Sequence, residues 1–290
     1  MRNIAGIYEE FCLAKGIKFQ LDDKVNPYDD TTLFCPAGMQ QFKKKFREPD
    51  GSTVANIQSC IRLNDLEEIG DGSHLLYFNM LGLFSFGELT VNEAIDFWME
   101  FVVNVLGIKV DKVTIHSDKF DTWKWMYERY KVPIELDKEC VWSDGQIGGY
   151  CTEFYHKGIE IGNIVNTMDK YIDVGFGLER LHSIVNGNQI KSDIDTLKET
   201  ITKIIKSGYK PGPQKQGYIL RKLLRELYIR GGEMDNMYFK REVVRQEKAR
   251  IRYLKLNEKP SNQSKPKEWW FDTHGIDIDE MKRLDKKEKE

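Results

Sequence analysis

Nowhere does this chain hold the run of about 20 apolar residues that a membrane-crossing helix needs. Its start, Met1-Arg2-Asn3-Ile4, lacks the apolar core of a secretion signal. Cysteine is scarce: Cys12, Cys35, Cys60, Cys140 and Cys151, an odd number with no Cys-x-x-Cys pair. Only Cys151 and His156 lie close enough in sequence to suggest a metal pair, and two ligands do not make a structural zinc site. Free thiols, no zinc, no membrane and a cytoplasmic location are the expectations. Net charge is nearly absent, at −2 over 290 residues. What is present, 40% hydrophobic and 31% charged residues, suits a soluble globular chain rather than a disordered one. The length allows one large domain and a smaller one.

The small net charge hides an uneven distribution. Lys191–Lys255 carries 17 basic and 8 acidic residues, a net +9, so the remainder carries −11. A basic segment on an acidic body suits contact with a polyanion such as RNA, and equally a solvated helix surface rich in Lys and Arg.

Periodicity organises the chain. Ile4, Ile7, Tyr8 and Phe11 recur at helical spacing. Thr32–Phe34, Ile57–Arg62, Leu75–Leu81 and Leu83–Phe86 are short apolar runs that read as strands. Thr90 with Glu93 forms a capping box ahead of the stripe Ala94, Ile95, Trp98, Phe101, Val102 and Val105. Val113–His116 reads as a strand and Phe120–Tyr130 as a helix. Cys151–His156 and Ile159–Val165 flank Lys157-Gly158 as a hairpin. Tyr171–Val174 is a strand that runs through Gly175-Phe176-Gly177 into a helix, Leu178–Val185. Clustered strands and a hairpin predict an α+β fold with an antiparallel sheet flanked by helices. Helices follow at Ile194–Ser207, Gly217–Arg230 and Met237–Leu256, then a linker at Lys259–Lys267 and a tail ending in the charge run Lys282–Glu290.

Three segments carry candidate chemistry. Cys60-Ile61-Arg62 is a strand ending on arginine before the acidic loop Asn64-Asp65-Leu66-Glu67-Glu68. Glu160-Ile161-Gly162-Asn163 is the second, and Asp173–Leu181 the third. In the third, two glycines between strand and helix allow close backbone approach to a ligand. Arg180 stands in the first helical turn, where the helix dipole favours an anion, so a bound anion would explain it. The alternative is an ordinary turn with Arg180 paired to a carboxylate.

Together the segments resemble alanyl-tRNA synthetases, class II aminoacyl-tRNA synthetases. Motif 1 is similar to Asp29–Lys43. Motif 2 is similar to Gln58–Arg62, Asn64–Glu67 and Tyr77–Gly87, and motif 3 to Gly175–Leu181. Cys151-Thr152-Glu153-Phe154 and Glu160–Val165 resemble two further family segments. Gly217–Lys222 and Phe271–Gly275 resemble landmarks of its tRNA-recognition region.

The resemblance implies a class II core over residues 1–188, a shortened helical tRNA-acceptor module over 189–256, and a linker and charged tail over 257–290. It implies that Arg62 holds the ATP α-phosphate and the substrate carboxylate, and that Arg180 holds the γ-phosphate. Asp173 would bind the α-ammonium. Met80 and Phe84 would stack adenine, with Gly177 beside the nucleotide; ordinary core packing is the alternative for the first two. Asn163 and Val165 would line the side-chain pocket. Glu153 and Glu160 would hold magnesium, or else serve as structural strand carboxylates. Arg221, Lys222, Arg225 and Arg230 would contact tRNA phosphates. Partners would be ATP, a small amino acid and tRNA, with the acceptor stem of tRNA-Ala expected.

Departures narrow this. Only Leu63 separates Arg62 from Asn64, so the family's Gly-Gly-Lys-His insert and its lysine are missing. The Arg-His-His-Thr run becomes Ser73-His74-Leu75-Leu76, and the glutamate before Met80 becomes Asn79. Gly162 stands where the family's pocket tryptophan is expected, which implies a larger pocket or a substitute such as Trp142. Pro213 replaces the asparagine that reads the wobble pair, and proline offers no side-chain amide. Neither an editing domain nor a C-terminal oligomerising domain is expected. The leading expectation is an alanine–tRNA ligase. The alternatives are an adenylating paralogue with a non-tRNA acceptor and a non-catalytic tRNA-binding paralogue.

Overall fold

The computed structural model describes residues 1–72 and 74–287, with side chains to Leu284. The chain divides into two compact units, Met1–Ile190 and Lys191–Glu290. Ser73, and residues 288–290 of the expected charge run, lie outside the described residues.

The first unit runs α1 (Ile4–Ala14), β1 (Lys18–Asp22), α2 (Lys43–Arg47), β2 (Thr53–Ile61), β3 (Tyr77–Ser85), α3 (Val91–Met99), β4 (Lys112–Ile115), α4 (Phe120–Arg129), β5 (Ile134–Leu136), β6 (Val141–Ser143), β7 (Gly148–His156), β8 (Ile159–Thr167), β9 (Tyr171–Gly177) and α5 (Leu178–Asn186). The sheet order is β1-β2-β3-β9-β8-β7-β4-β5, with β6 paired to β7. Pairing is antiparallel except at the two ends, where β1 joins β2 and β4 joins β5 in parallel.

The period of two along each strand separates core from site. Leu81, Leu83, Ile164, Val174 and Phe176 bury into one cluster with Ile95, Trp98, Phe101 and Val102 of α3 and its π-helical continuation, Glu100–Val105. The Trp98 and Phe176 rings stack at 4.0 Å with planes 3° apart. Each such fully buried side chain contributes about 1.5–3 kcal/mol of transfer free energy. The capping box forms: the Glu93 N–H donates to Thr90 Oγ1 at 3.3 Å, and the Thr90 N–H to Glu93 Oε2 at 2.8 Å. Lys157 and Gly158 both take positive φ in the β7–β8 turn, as a two-residue hairpin requires.

Two expectations change. Thr32–Phe34 forms no strand: Asp29 turns the chain by accepting from the Thr31 N–H at 2.9 Å, and Cys35 donates to the Val25 carbonyl at 3.0 Å. Leu75–Leu81 and Leu83–Phe86 contribute to a single strand, β3, because Gly82 does not break it. A Cβ at Gly82 would lie 2.4 Å from Asn56 Oδ1 and 2.6 Å from the Phe84 ring, so the glycine serves close approach.

The second unit contains α6 (Asp193–Lys206), α7 (Lys215–Ile229), α8 (Met237–Asn257), α9 (Pro260–Gln263), α10 (Lys267–His274) and α11 (Ile278–Lys287). The linker and charged tail expected over 257–290 are therefore largely helical among the described residues. Trp270, Ile276, Met281 and Leu284 bury against Ile229 and Tyr253. Four well-spaced apolar side chains anchor a segment whose composition is dominated by charge. No helix among the described residues is long and apolar enough to cross a membrane.

Candidate active site

Opposite the α3 face, a cleft with a cavity volume of about 350 Å³ opens over β3, β9 and β8. Strand alternation puts Met80, Asn163, Val165, Asp173, Gly175 and Gly177 along it. Arg62, Trp142, Glu153, Glu160 and Arg180 line it as well, which leaves Phe84 as the member of the expected cleft set that does not, and His74, Phe78 and Glu179 join them.

Arg62 follows the last residue of β2 and is anchored from both sides. Its N–H donates to the Leu76 carbonyl at 2.9 Å, and its Nε to the Pro36 carbonyl at 3.1 Å. The guanidinium lies over the Phe78 ring, 5.1 Å from the centroid. Arg180 comes from the first turn of α5, and its Nη1 donates to the Glu160 carbonyl at 2.9 Å. Its neighbour Glu179 accepts from the Asn79 N–H at 2.9 Å and from Asn79 Nδ2 at 2.8 Å. Asn79, the departure from the family's glutamate, thus pins the first turn of α5 to β3. Glu179 also suits the positive end of the helix dipole.

Asp173 is 7% exposed, and burial, then the nearby Asp144 carboxylate, pushes its carboxyl up to about 7. Asp144 in turn pairs with the buried Lys43 at 2.8 Å, and Lys43 also reaches Asp29 at 3.0 Å. Burial pushes Lys43 down, but its bonds to Asp144 and Asp29 outweigh this and hold it above the usual lysine value. Burial raises Glu160 as well, with Glu153 adding to the effect and Arg180 and Arg62 opposing it. Glu153 Oε2 accepts from Tyr155 OH at 2.6 Å and Thr114 Oγ1 at 3.1 Å. The two carboxylates therefore share the cleft with both arginines.

Two expectations are revised by position. Phe84 is fully buried beside the cleft and packs on Phe42 at 4.7 Å, so it offers no stacking surface; Phe78, three strand periods earlier, lines the cleft. The aromatic spacing in β3 carried that signal, but it does not show that Phe84 is buried while Phe78 is not. Gly162 does not enlarge the pocket. A Cβ there would lie 2.3 Å from the Phe176 ring, on the core side of the sheet. Trp142 packs against Val165 over Cys140 and Cys151 and forms that wall of the cleft.

In the second unit, Arg225 Nη1 donates to both Glu280 carboxylate oxygens at 2.6 and 2.8 Å. Arg230 bonds Glu226 at 2.7 Å and Asp193 at 3.1 Å. These two of the four expected phosphate contacts are committed to internal ion pairs, a pairing that sequence spacing shows only for Glu226 and Arg230. Arg221 is half-buried and Lys222 exposed on α7.

Residues 11–147 match the family model described as tRNA synthetases class II (A). The alanine–tRNA ligase of Desulfitobacterium hafniense is 28% identical over 295 residues, covering 76% of this chain and 34% of that protein. That of Fusobacterium nucleatum is 29% identical over 334 residues, covering 87% and 38%. That of Francisella tularensis is 30% identical over 282 residues, covering 71% and 33%. The chain spans about a third of the length of these curated relatives. Among solved structures, apo histidyl-tRNA synthetase of S. aureus aligns at a TM-score of 0.44 and 11% identity, over 84% of this chain and 82% of that one. With the family model matched across motifs 1 and 2 and the ligase relatives matched across most of its length, the chain belongs to the alanyl-tRNA synthetase family.

Proposed function

We infer that the first unit activates a small amino acid, alanine first among them, with ATP, and that the product is passed to tRNA. The observation that carries this is the convergence of Arg62, Arg180 and Asp173 on one cleft. Activation is attack by a carboxylate oxygen on the α-phosphorus, with the bond to the β-phosphate breaking and pyrophosphate leaving. Both reactants are anionic, so preorganised positive charge lowers the barrier. Arg62 holds the carboxylate and α-phosphate, and its planar fork binds oxyanions bidentately. Arg180 holds the γ-phosphate. Asp173, once ionised, fixes the α-ammonium and with it the angle of attack. Phe78 and Met80 present the surface for adenine, next to Gly177. Trp142, Asn163 and Val165 bound the side chain.

Magnesium takes oxygen ligands and keeps several for phosphate and water, so one or two carboxylates suffice. Glu153 and Glu160, adjacent in the cleft, fit that demand and would hold it. When bound it neutralises pyrophosphate charge. His74, whose ring bonds Asp71 at 2.6 Å and approaches Glu68 at 3.3 Å, lines the same cleft and would assist the phosphates where the loop lysine is missing.

The second unit, with Lys222 exposed and Arg221 half-buried on α7, would contact the acceptor end of tRNA through phosphates. A second reading, an adenylating enzyme with another acceptor, is favoured by the internal pairing of Arg225 and Arg230 and by Pro213 in place of an amide side chain. The test is ATP–pyrophosphate exchange with alanine, glycine and serine, followed by charging of tRNA transcripts with and without the wobble pair. Exchange with charging supports the first reading. Exchange without charging supports the second, and absence of exchange with every amino acid rejects both and leaves a tRNA-binding paralogue.

A further inference from the structure

Helix α8 turns its charges inside out. It is 21 residues long, and of its two acids Glu242 is buried and Glu247 half-buried. Glu242 is buried and accepts from Gln246 Nε2 at 2.8 Å, and Glu247 accepts from Tyr228 OH. Phe239 and Tyr253 complete that buried side. The opposite side carries Met237, Arg241, Val244, Lys248, Ile251 and Lys255, all exposed. Ile251 is 64% exposed, and Met237 and Val244 are each 54% exposed. Arg241, Lys248 and Lys255 have no carboxylate partner among the described residues.

The order along the helix is apolar, basic, apolar, basic, apolar, basic. Both the apolar set and the basic set repeat every seven residues, so each recurs at about 10.5 Å and drifts by only about 20° per repeat. A seven-residue repeat on a single stripe is the spacing of a neighbouring α-helix packed at a shallow angle. A phosphate backbone would engage the cations but leave Val244 and Ile251 without partners. A bilayer surface calls for a broad apolar face, whereas here cations interrupt a narrow one. A second copy would bring like charges together.

We propose that the outer stripe of α8 is a docking surface for an amphipathic helix of another protein, one whose apolar heptad stripe is flanked by Asp and Glu. Its apolar residues seat between Met237, Val244 and Ile251, and its acids meet Arg241, Lys248 and Lys255. The surface lies in the second unit and is independent of the adenylation reading.

The test uses the full chain and a labelled four-heptad peptide with Leu at its two core positions and Glu at the flanking ones, followed by fluorescence anisotropy. The expected result is saturable binding that weakens as salt rises. The peptide with Lys in place of Glu should not bind. Val244→Ser with Ile251→Ser should weaken binding of the Glu peptide about tenfold or more with an unchanged circular dichroism spectrum. Equal binding of the two peptides overturns the proposal. So does undiminished binding by the double serine variant when Arg241→Glu with Lys248→Glu abolishes it. That pattern, with a tRNA transcript displacing the peptide, marks a general polyanion surface. Concentration-dependent dimers lost in Val244→Ser with Ile251→Ser assign the stripe to a second copy and overturn it as well.

Discussion

The Arg62 guanidinium lies over the Phe78 ring, 5.1 Å from its centroid, and both line the cleft. The contact holds the arginine fork in place while leaving the ring beside the space assigned to adenine. Arg62→Lys keeps the charge and loses the fork. ATP–pyrophosphate exchange should fall about 100-fold, the scale for removing one transition-state donor. Phe78→Ala should raise the KM for ATP about tenfold, with stacking worth about 1–3 kcal/mol per base. An unchanged KM in Phe78→Ala would remove the ring from the site.

Asp173 predicts a pH dependence with two readouts. Its carboxyl is pushed up to about 7 by burial and then by Asp144. Between the unfolded value near 4 and about 7, the folded state keeps a proton that the unfolded state has lost. Stability therefore falls as pH rises through that window and levels off above it, by an amount on the order of a few kcal/mol. The ionised form is the one that binds an ammonium, so the KM for alanine should fall as pH rises from about 6 to 8. Asp173→Asn should flatten the stability profile in denaturant titrations and abolish exchange.

Gly162 and Trp142 should separate stability from selectivity. Gly162→Ala forces a methyl against Phe176 and through it against Trp98. A melting temperature lowered by several degrees is expected, an overpacking cost of about 1–3 kcal/mol, with the ranking of amino acids unchanged in the remaining activity. Trp142→Ala should instead shift exchange toward larger side chains. A pocket resolves one methylene by only about 1–3 kcal/mol, so glycine or serine activation should be measurable in the unmutated protein. Exchange restricted to alanine would contradict that.

Glu226 organises the second unit. It accepts from Arg230 at 2.7 Å and from Arg283 at 2.6 Å, and although burial pushes it up, these arginines outweigh it and hold its carboxyl below the usual value. Its contribution to stability is present above the unfolded value and is lost as pH falls through the folded one. Glu226→Ala should destabilise by about 3–5 kcal/mol, the range for breaking a buried pair. Arg230→Ala should lower stability more than RNA affinity. Lys222→Ala should do the reverse and reduce the salt slope of tRNA binding by about one. Equal RNA-binding losses with no stability change in Arg230→Ala would return that residue to the interface.

Much of the fold was legible because its signals are local. The capping box at Thr90 and Glu93, the Lys157-Gly158 turn and the stripe Ala94–Val102 each depend on residues a few positions apart. β1, β5 and β6 were not legible: β5 and β6 have three residues each, too few to show alternation, and β1 is bounded by the charged Lys18 and Asp22. The helices α9–α11 were hidden by their charge, because Trp270 and Leu284 bury only when brought to Ile229 and Tyr253.

The sequence by itself determined which residue types could act on anions and ammonium: Arg62 at a strand end, Arg180 in a first helical turn, and Asp173 before a glycine pair. It could not decide which side of the sheet each neighbour faces or which cations are already spent. Gly162 turned out to face Phe176, Phe84 to face Phe42, and Arg225 to face Glu280. Those outcomes rest on contacts between residues far apart in the chain. Strand register and helix packing set them, and a charge or ring becomes available to a ligand only after such contacts have taken their share.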